Sequence, residues 1–294
     1  MSAADRPEDE QRGVQRPDST TNSAFVDIAW QGQRVRIEHA WCGRPRGERG
    51  APLIVFLHEG LGSVSTWRDF PAELCGALEA RGLVYSRPGY GRSGSPTPEA
   101  AWAPDFMHRQ AEQLLPALLA ALDIDAAQDR PWLFGHSDGA SIALLYAAHF
   151  PDRLAGAIVL APHIMVEDLS VASIEAARDA YADTDLRERL ARHHDDPDRA
   201  FRRWNRIWLD PAFREWSIEA ELATIRCPLL AVQGLDDEYG TLAQIHGIRA
   251  RLPHTELLQL AGCRHSPQRD QPQAVIETVQ GFMRRHDHRA AGAR

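Results

Sequence analysis

Residues 131–141 read Pro131-Trp132-Leu133-Phe134-Gly135-His136-Ser137-Asp138-Gly139-Ala140-Ser141. The apolar run before Gly135 predicts a strand, and the apolar pattern just past Ser137 predicts a helix. A strand that passes directly into a helix needs a sharp turn, and glycines at 135 and 139 let the backbone pack closely on either side of the serine. Ser137 would then be exposed at the tip of the turn, which makes it a candidate nucleophile. The alternative is a serine that only caps the helix.

The composition limits the classes of function. The chain has 294 residues, 44% of them hydrophobic, which suits one large α/β domain with an insertion or two small domains. Its formal net charge is −8, so a nucleic-acid partner is not expected. All 33 basic residues are arginine, which excludes a lysine-based mechanism. The cysteines lack the C-x-x-C spacing of a zinc site, and we expect reduced thiols at Cys42, Cys75, Cys227 and Cys263.

The two ends of the chain are poor in apolar residues. Residues 1–22 mix Asp, Glu, Arg, Gln, Ser and Pro, which predicts a disordered leader, and residues 288–294 are predicted to form a flexible tail. The sequence has neither an apolar segment of signal-peptide length nor a run long enough to span a membrane. We therefore expect a cytoplasmic protein with no membrane partner.

Strand and helix patterns alternate through most of the chain. Alternating apolar and polar residues at 25–30 and 34–41 predict a β-hairpin. Besides the strand before Ser137, continuous apolar runs predict strands at 53–57, 83–85, 157–161, 229–233 and 255–260. Helices are predicted at 66–80, 107–122, 140–148, 241–251 and 272–285. Pro116 should bend or interrupt the second of these helices. Repeated βα units predict an α/β fold with a mostly parallel sheet and helices on both faces.

Residues 163–223 interrupt this alternation. They carry helical stretches and no strand pattern, so we predict a helical cap there, with a core formed by residues 23–162 and 224–287. Aromatic residues follow helical spacing in this insertion: Phe201, Trp204, Trp208, Phe213 and Trp216. Such a stripe usually packs in a core, but a cap also presents an apolar face to the cleft. Trp204 and Trp208 are therefore candidates to line a substrate pocket.

A serine hydroxyl needs a base within hydrogen-bond reach and a third group that orients the base. Two strand-end loops offer these groups. The strand at 229–233 leads into Gly234-Leu235-Asp236-Asp237-Glu238, and the strand at 255–260 leads into Cys263-Arg264-His265-Ser266. The chain order is thus serine, aspartate, histidine.

With these motifs the chain resembles the α/β-hydrolase superfamily from Phe25 to Arg285. The matching stretches are His58-Glu59-Gly60-Leu61-Gly62, Arg87-Pro88-Gly89-Tyr90-Gly91-Arg92-Ser93, Gly135 to Gly139, Gly234 to Asp237, and Cys263 to Ser266. The resemblance implies Ser137 as nucleophile, His265 as general base and then acid, and Asp237 as the carboxylate that fixes the imidazole. Asp236 and then Glu238 are the alternatives to Asp237.

The resemblance also implies donors for the oxyanion. One is the backbone N–H of Asp138, the residue after the nucleophile, and the other belongs to the loop after the strand at 53–57. Gly60 is the first candidate there and Leu61 the second. Glu59 replaces the small residue usual in that turn, and we expect His58 to brace the loop. Glu59 and Leu61 are also candidate substrate contacts.

Asp138 poses a problem of charge. A carboxylate about 4 Å from a developing oxyanion opposes it by about 4 kcal/mol at an effective dielectric constant near 20. Its side chain must therefore turn away or be neutralised. Arg87 lies in a strand-end loop of the same sheet edge, so it is a candidate counter-ion for Asp138 or Glu59.

These inferences predict a serine hydrolase that cleaves a small-molecule ester, thioester or lactone through an acyl-enzyme, with no metal and no organic cofactor. Cleavage of a carbon–carbon bond in a ring-fission product is the rival within hydrolases, since it uses the same three residues. A ligand-sensing hydrolase fold with little turnover is the alternative outside catalysis. The sequence specifies neither the substrate nor the oligomeric state.

Overall fold

The computed structural model describes residues 23–48, 50–95 and 102–286. The predicted leader at 1–22 and the predicted tail at 288–294 lie outside these residues. Within them, every cysteine is a free thiol.

Eight strands form one sheet in the described part of the chain. They are β1 (Ala24–Trp30), β2 (Gln33–Gly43), β3 (Leu53–Leu57), β4 (Arg81–Tyr85), β5 (Trp132–His136), β6 (Gly156–Leu160), β7 (Leu229–Gly234) and β8 (Glu256–Leu260). Their order across the sheet is β1-β2-β4-β3-β5-β6-β7-β8. The pairs β1–β2 and β2–β4 are antiparallel, whereas the other five pairs are parallel. The predicted hairpin and the predicted α/β fold class are confirmed.

Helices cover both faces of this sheet. They are α1 (Phe70–Leu78), α2 (Phe106–Arg109), α3 (Leu115–Ala121), α4 (Ala126–Asp129), α5 (Asp138–His149), α6 (Asp168–Asp183), α7 (Leu186–Ala191), α8 (Pro197–Trp208), α9 (Ala243–Arg251), α10 (Pro267–Asp270) and α11 (Pro272–His286). Short 3₁₀ turns occupy Ser65–Trp67, Pro211–Phe213 and Glu221–Thr224.

The two faces of the sheet have separate apolar cores, which explains the continuous apolar strand sequences. In β3, Leu53, Val55 and Leu57 pack in one core, and Ile54 and Phe56 pack in the other. Side chains of a strand alternate between faces, so a strand covered on both sides must be apolar at every position. The first core includes α3 and α5, and the second includes α1 and α11.

Pro116 interrupts its helix as the sequence predicts, and the structure shows how. Residues Gln110–Leu114 form one π-helical turn between α2 and α3, and Pro116 lies in the first turn of α3. Proline has no N–H to donate, and its ring clashes with the carbonyl group four residues before it. A π turn at this point widens the helix where that hydrogen bond is lost.

The regular elements within 163–223 are helices and short 3₁₀ turns, and one antiparallel bridge joins Met165 to Ser217. Helices α6 and α8 pack together, with the Tyr181 and Phe201 rings stacked at a centroid distance of 3.8 Å. Helix α8 buries Trp204 and Trp208. The two indoles contact the loops that follow β3 and β5, so α8 covers the carboxyl edge of the sheet.

Candidate active site

Ser137 lies between the end of β5 and the start of α5. Its backbone has φ 53° and ψ −119°, a left-handed conformation that is rare outside glycine. The neighbouring glycines are required by close backbone contacts. A Cβ atom on Gly139 would lie 2.1 Å from the carbonyl oxygen of Leu57, and one on Gly135 would lie 2.4 Å from that of Gly139. The sharp turn predicted from the sequence is therefore present.

His265 is oriented by a carboxylate. Its Nδ1 lies 2.8 Å from Asp237 Oδ1, and since a carboxylate only accepts, Nδ1–H donates. Asp237 also accepts from the backbone N–H of Tyr239 at 2.9 Å and from Gln233 Nε2 at 3.0 Å. Burial raises the pKa of Asp237, but the hydrogen bond and charge of His265 outweigh it and leave this pKa below its usual value. The aspartate is therefore held ionised, and His265 Nε2 carries the free lone pair.

The alternatives to Asp237 make other contacts. The backbone N–H of Asp236 donates to the Cys263 carbonyl at 3.0 Å. The Glu238 side chain pairs with Arg264 at 2.9 Å and accepts from the backbone N–H of His265 at 3.2 Å. Of the three acidic residues considered from the sequence, only Asp237 has a contact with the His265 ring among the described residues.

His136, the residue before Ser137, links the turn that carries Ser137 to the loop that carries His265. Its Nε2 donates to the backbone carbonyl of His265 at 2.7 Å, and its Nδ1 contacts Gln268 Nε2 at 3.0 Å. The loop that carries His265 is thus fastened to the turn that carries Ser137. This role is not predictable from the sequence, because nothing in residues 131–141 indicates which loop His136 contacts.

The loop after β3 is a tight turn in which Gly62 N–H donates to the Glu59 carbonyl at 3.0 Å. His58 braces it, as expected. Its Nδ1 donates to the same carbonyl at 2.7 Å, and its Nε2 accepts from the backbone N–H of Arg87 at 2.9 Å. These two partners require the neutral tautomer, in agreement with a pKa well below the usual histidine value because of burial and the nearby Arg87. Gly60 packs so closely against α8 that an added Cβ would lie 2.1 Å from Trp204 Nε1.

The Glu59 carboxylate lies between a histidine ring and a guanidinium group. Its oxygens are 3.7 Å from His136 Nδ1 and 3.7 Å from Arg269 Nη2. Burial raises the pKa of Glu59, but the nearby His136 and Arg269 outweigh it and leave this pKa well below its usual value. The unusual glutamate of this turn is therefore ionised.

Asp138 is fully buried and faces Arg87. Both terminal nitrogens of Arg87 lie 3.4 Å from Asp138 Oδ2, and Trp208 Nε1 donates to Oδ1 at 3.2 Å. Burial raises the pKa of Asp138, while the charge of Arg87 and the hydrogen bond from Trp208 oppose that rise. Of the two counter-ion pairings considered from the sequence, the ion pair is with Asp138, and Glu59 contributes only its carbonyl oxygen.

A cavity of about 110 Å³ joins these groups. Most of the catalytic and substrate-binding residues predicted from the sequence line it: Ser137, His265, Glu59, Gly60, Leu61, Trp204 and Trp208. Asp237 and Asp138, which are also predicted from the sequence, do not line it. Residues that the sequence analysis did not select complete the wall: His163, Ser170, Ile174 and Tyr239.

His163 is the most informative of these additions. It follows β6, its ring centroid is 4.9 Å from that of Trp208, and it is 5.9 Å from that of His265. Burial and the nearby His265 lower the pKa of His163 to about 3, so the ring is neutral. Its Nδ1 has no hydrogen-bond partner among the described residues. The sequence does indicate His163 as a candidate site residue, because Pro162-His163 stands at the carboxyl end of a predicted strand, where open α/β sheets bind ligands.

Within residues 23–48, 50–95 and 102–286, no group of three or more His, Cys, Asp or Glu side chains is arranged to hold a metal ion. None of the helices within the same residues has the length and apolar character needed to cross a membrane.

A family model described as the alpha/beta hydrolase family matches residues 54–278. That range covers well over half of the 294 residues. The chain belongs to the alpha/beta hydrolase family. The resemblance inferred from the five sequence motifs is confirmed, and so, at the level of the family, is the prediction of a hydrolase enzyme.

Solved structures share the fold of this α/β-hydrolase. A membrane phospholipase A described as a bacterial virulence factor is 18% identical with a TM-score of 0.70, over 92% of this chain and 89% of the other. An enol-lactonase from Burkholderia xenovorans LB400 is 21% identical with a TM-score of 0.67, over 88% and 99%. A thermophilic esterase from Thermogutta terrifontis is 17% identical with a TM-score of 0.65, over 90% and 99%. At such identities these similarities show a common fold.

Proposed function

We propose that this α/β-hydrolase cleaves a small-molecule ester, thioester or lactone through an acyl-enzyme formed on Ser137. One observation carries the proposal. Ser137 and His265 line the same cavity, and Asp237 fixes the Nδ1 edge of the His265 ring at 2.8 Å. This arrangement supplies a nucleophile, a base and an orienting carboxylate.

In the first step, Ser137 Oγ attacks the carbonyl carbon and its proton passes to His265 Nε2. Asp237 remains ionised and stabilises the imidazolium that forms. The carbonyl oxygen becomes an oxyanion, which accepts hydrogen bonds from the backbone N–H groups of Asp138 and Gly60. The N–H of Asp138 is suited to this role because it lies at the start of α5, where backbone N–H groups have no partner within the helix.

In the following steps, the imidazolium gives its proton to the leaving alcohol, thiol or ring oxygen as the C–O or C–S bond breaks. A water molecule then attacks the acyl-enzyme, with His265 as base, and releases the acid and free Ser137. The reaction needs only water as a second substrate.

The size of the cavity supports a short acyl group. At about 110 Å³ it is smaller than the roughly 300–1,000 Å³ usual for pockets that bind drug-sized ligands. Leu61, Ile174, Trp204 and Trp208 give it apolar walls. We therefore propose short-chain acyl groups as the preferred substrates.

The proposal is tested by labelling with a fluorophosphonate and by turnover of aryl esters from acetate to octanoate. We expect an adduct in the parent protein, none in Ser137→Ala, and the highest kcat/KM at the short esters. Ser65→Ala is the matched control, because Ser65 Oγ also contacts a histidine, His193 Nδ1 at 2.9 Å, yet does not line the cavity walls. It should keep the adduct.

Other outcomes would reject the proposal. Absence of an adduct from the parent protein would favour a ligand-sensing fold without turnover. Consumption of a coloured dienolate, with no phenol released from any aryl ester, would favour carbon–carbon bond hydrolysis.

A further inference from the structure

Arg87 is a buried cation that the proposed reaction does not use directly. Its side chain has no exposed surface, although it lies in the loop after β4, close to the cavity. Its guanidinium lies over two aromatic rings, at 4.9 Å from the Tyr90 centroid and 5.6 Å from the Trp102 centroid. A buried guanidinium must be hydrogen-bonded or paired with a charge. The partners of Arg87 therefore indicate what it does.

The first partner is the peptide group that joins Glu59 to Gly60. Arg87 Nη2 donates to the Glu59 carbonyl oxygen at 2.7 Å, and His58 Nδ1 and Gly62 N–H donate to the same oxygen. This peptide bond is trans, so its N–H, which belongs to Gly60, points away from these three donors. Donors on the oxygen thus fix the direction of the Gly60 N–H. They also polarise the peptide, which strengthens its N–H as a donor.

The second partner is the side chain of Asp138. Arg87 approaches Asp138 Oδ2 with both terminal nitrogens at 3.4 Å, while Trp208 holds Oδ1. The backbone N–H of the same Asp138 is the other proposed oxyanion donor. Arg87 therefore contacts Asp138 itself and, through the Glu59 carbonyl oxygen, the peptide group that carries the Gly60 N–H. Its positive charge offsets the Asp138 carboxylate beside the site where negative charge develops.

We propose that Arg87 is a positioning residue that holds the two halves of the oxyanion site together and neutralises Asp138. The inference rests on the proposed function, since it assigns Gly60 and Asp138 to the oxyanion. Arg87 itself does not line the cavity, and its effect passes through the Glu59–Gly60 peptide and through the charge of Asp138.

The variants are Arg87→Met, Arg87→Lys and the double variant Arg87→Met/Asp138→Asn, assayed with an aryl acetate. Loss of one oxyanion donor typically lowers kcat by about 10²–10³-fold. We expect Arg87→Met to lower kcat by about 100-fold with KM within about threefold, and to weaken binding of an aryl trifluoromethyl ketone by a similar factor. That inhibitor forms an oxyanion on Ser137, so a general loss of packing would not weaken it selectively.

The double variant separates charge from packing. If the unpaired Asp138 carboxylate opposes the oxyanion, removal of its charge should raise kcat at least about fivefold above that of Arg87→Met. Arg87→Lys keeps the charge and loses the forked contact, so its kcat should fall by about tenfold. If Arg87→Met fails to fold, the kcat of Arg87→Lys tests the inference instead.

Arg203→Met is the matched control. Arg203 is also buried and over Trp102, but its guanidinium donates to the Pro88 carbonyl at 3.2 Å and to the Ser95 hydroxyl at 2.8 Å. Its kcat should stay within about fivefold of the parent value. The inference is overturned if folded Arg87 variants keep the parent kcat, or if the double variant is no faster than Arg87→Met. In either case, an active and labelled parent protein would leave the proposed function standing. An unlabelled, inactive parent would reject that function itself.

Discussion

Replacement of Gly60 by alanine should separate activity from stability. Gly60 does not have a positive φ, so its backbone conformation is open to alanine. The added Cβ, however, would lie 2.1 Å from Trp204 Nε1 and 2.4 Å from Trp204 Cδ1. Non-bonded heavy atoms pack best at about 3.5 Å or more. The indole or the loop must therefore move by more than about 1 Å.

The expected size of the effect follows from this displacement. Overpacking at a buried contact costs about 1–3 kcal/mol of stability. A shift of about 1 Å in a positioned catalytic group costs about 10²-fold in rate. If the loop moves, the Gly60 N–H leaves the oxyanion, so we expect kcat to fall by about 100-fold while the protein remains folded.

The assay compares kcat, KM and urea unfolding for Gly60→Ala and for a matched glycine. Gly76 lies in the exposed part of α1, and a Cβ added there meets no atom within 4 Å. Gly76→Ala should keep the parent kcat and gain about 1 kcal/mol of stability from helix propensity. In Gly60→Ala/Trp204→Leu the smaller side chain leaves room for the Cβ, so part of the lost kcat should return. A Gly60→Ala protein with kcat within threefold of the parent would refute the assignment of this loop.

Three further predictions concern the histidines and their partners. Asp237→Asn should lower kcat on the order of 10⁴-fold, because the amide no longer holds His265 in the tautomer with a free Nε2; single-turnover kinetics with an aryl acetate would show it, and a loss below tenfold would contradict it. His136→Ala removes the 2.7 Å bond to the His265 carbonyl and should lower kcat by about tenfold, while fluorophosphonate labelling of Ser137 persists at a reduced rate. His163 has a folded pKa of about 3 against an ordinary value of 6.5, so the folded state takes up its proton less readily than the unfolded chain. The stability that this group contributes is present above pH 6.5 and is lost as the pH falls, at about 1.4 kcal/mol per pH unit. His163→Phe should therefore lose less stability than the parent protein between pH 6.5 and 5 in urea unfolding, and equal losses would show that the ring is not held neutral.

The sheet was predictable because the relevant patterns are local. The apolar run at 53–57 has to be a strand buried on both faces, and the alternation at 25–30 has to be one face of a hairpin. The position of Ser137 was predictable for the same reason, since the glycines on either side belong to one continuous turn. Pro116 indicated an interruption, but only the structure shows that a π turn absorbs it.

Contacts between separate loops were not predictable in this way. Residue types and chain order favoured Asp237 and His265, and their hydrogen bond spans 28 positions. His136 has no local pattern that distinguishes it from other buried histidines, and His163 is marked only by its position after a predicted strand. Their roles arise because β5, β6 and the loop after β8 meet at one sheet edge, which depends on strand order and not on sequence spacing.

Two carboxylates, those of Asp138 and Glu59, belong to residues at or beside the proposed oxyanion donors, and a third, that of Asp237, orients His265. Each lies close to a positive or N–H partner. Asp237 is held by His265, Asp138 by Arg87, and Glu59 by His136 and Arg269. Without a positive partner, the carboxylates of Asp138 and Glu59 would oppose the negative charge of the oxyanion that we propose forms at the backbone N–H groups of Asp138 and Gly60. An acidic residue directly after a serine nucleophile therefore calls for a buried cation from another loop. Arg87 is separated from Asp138 by 51 positions, so the pair can be recognised only when the two strand-end loops are considered together.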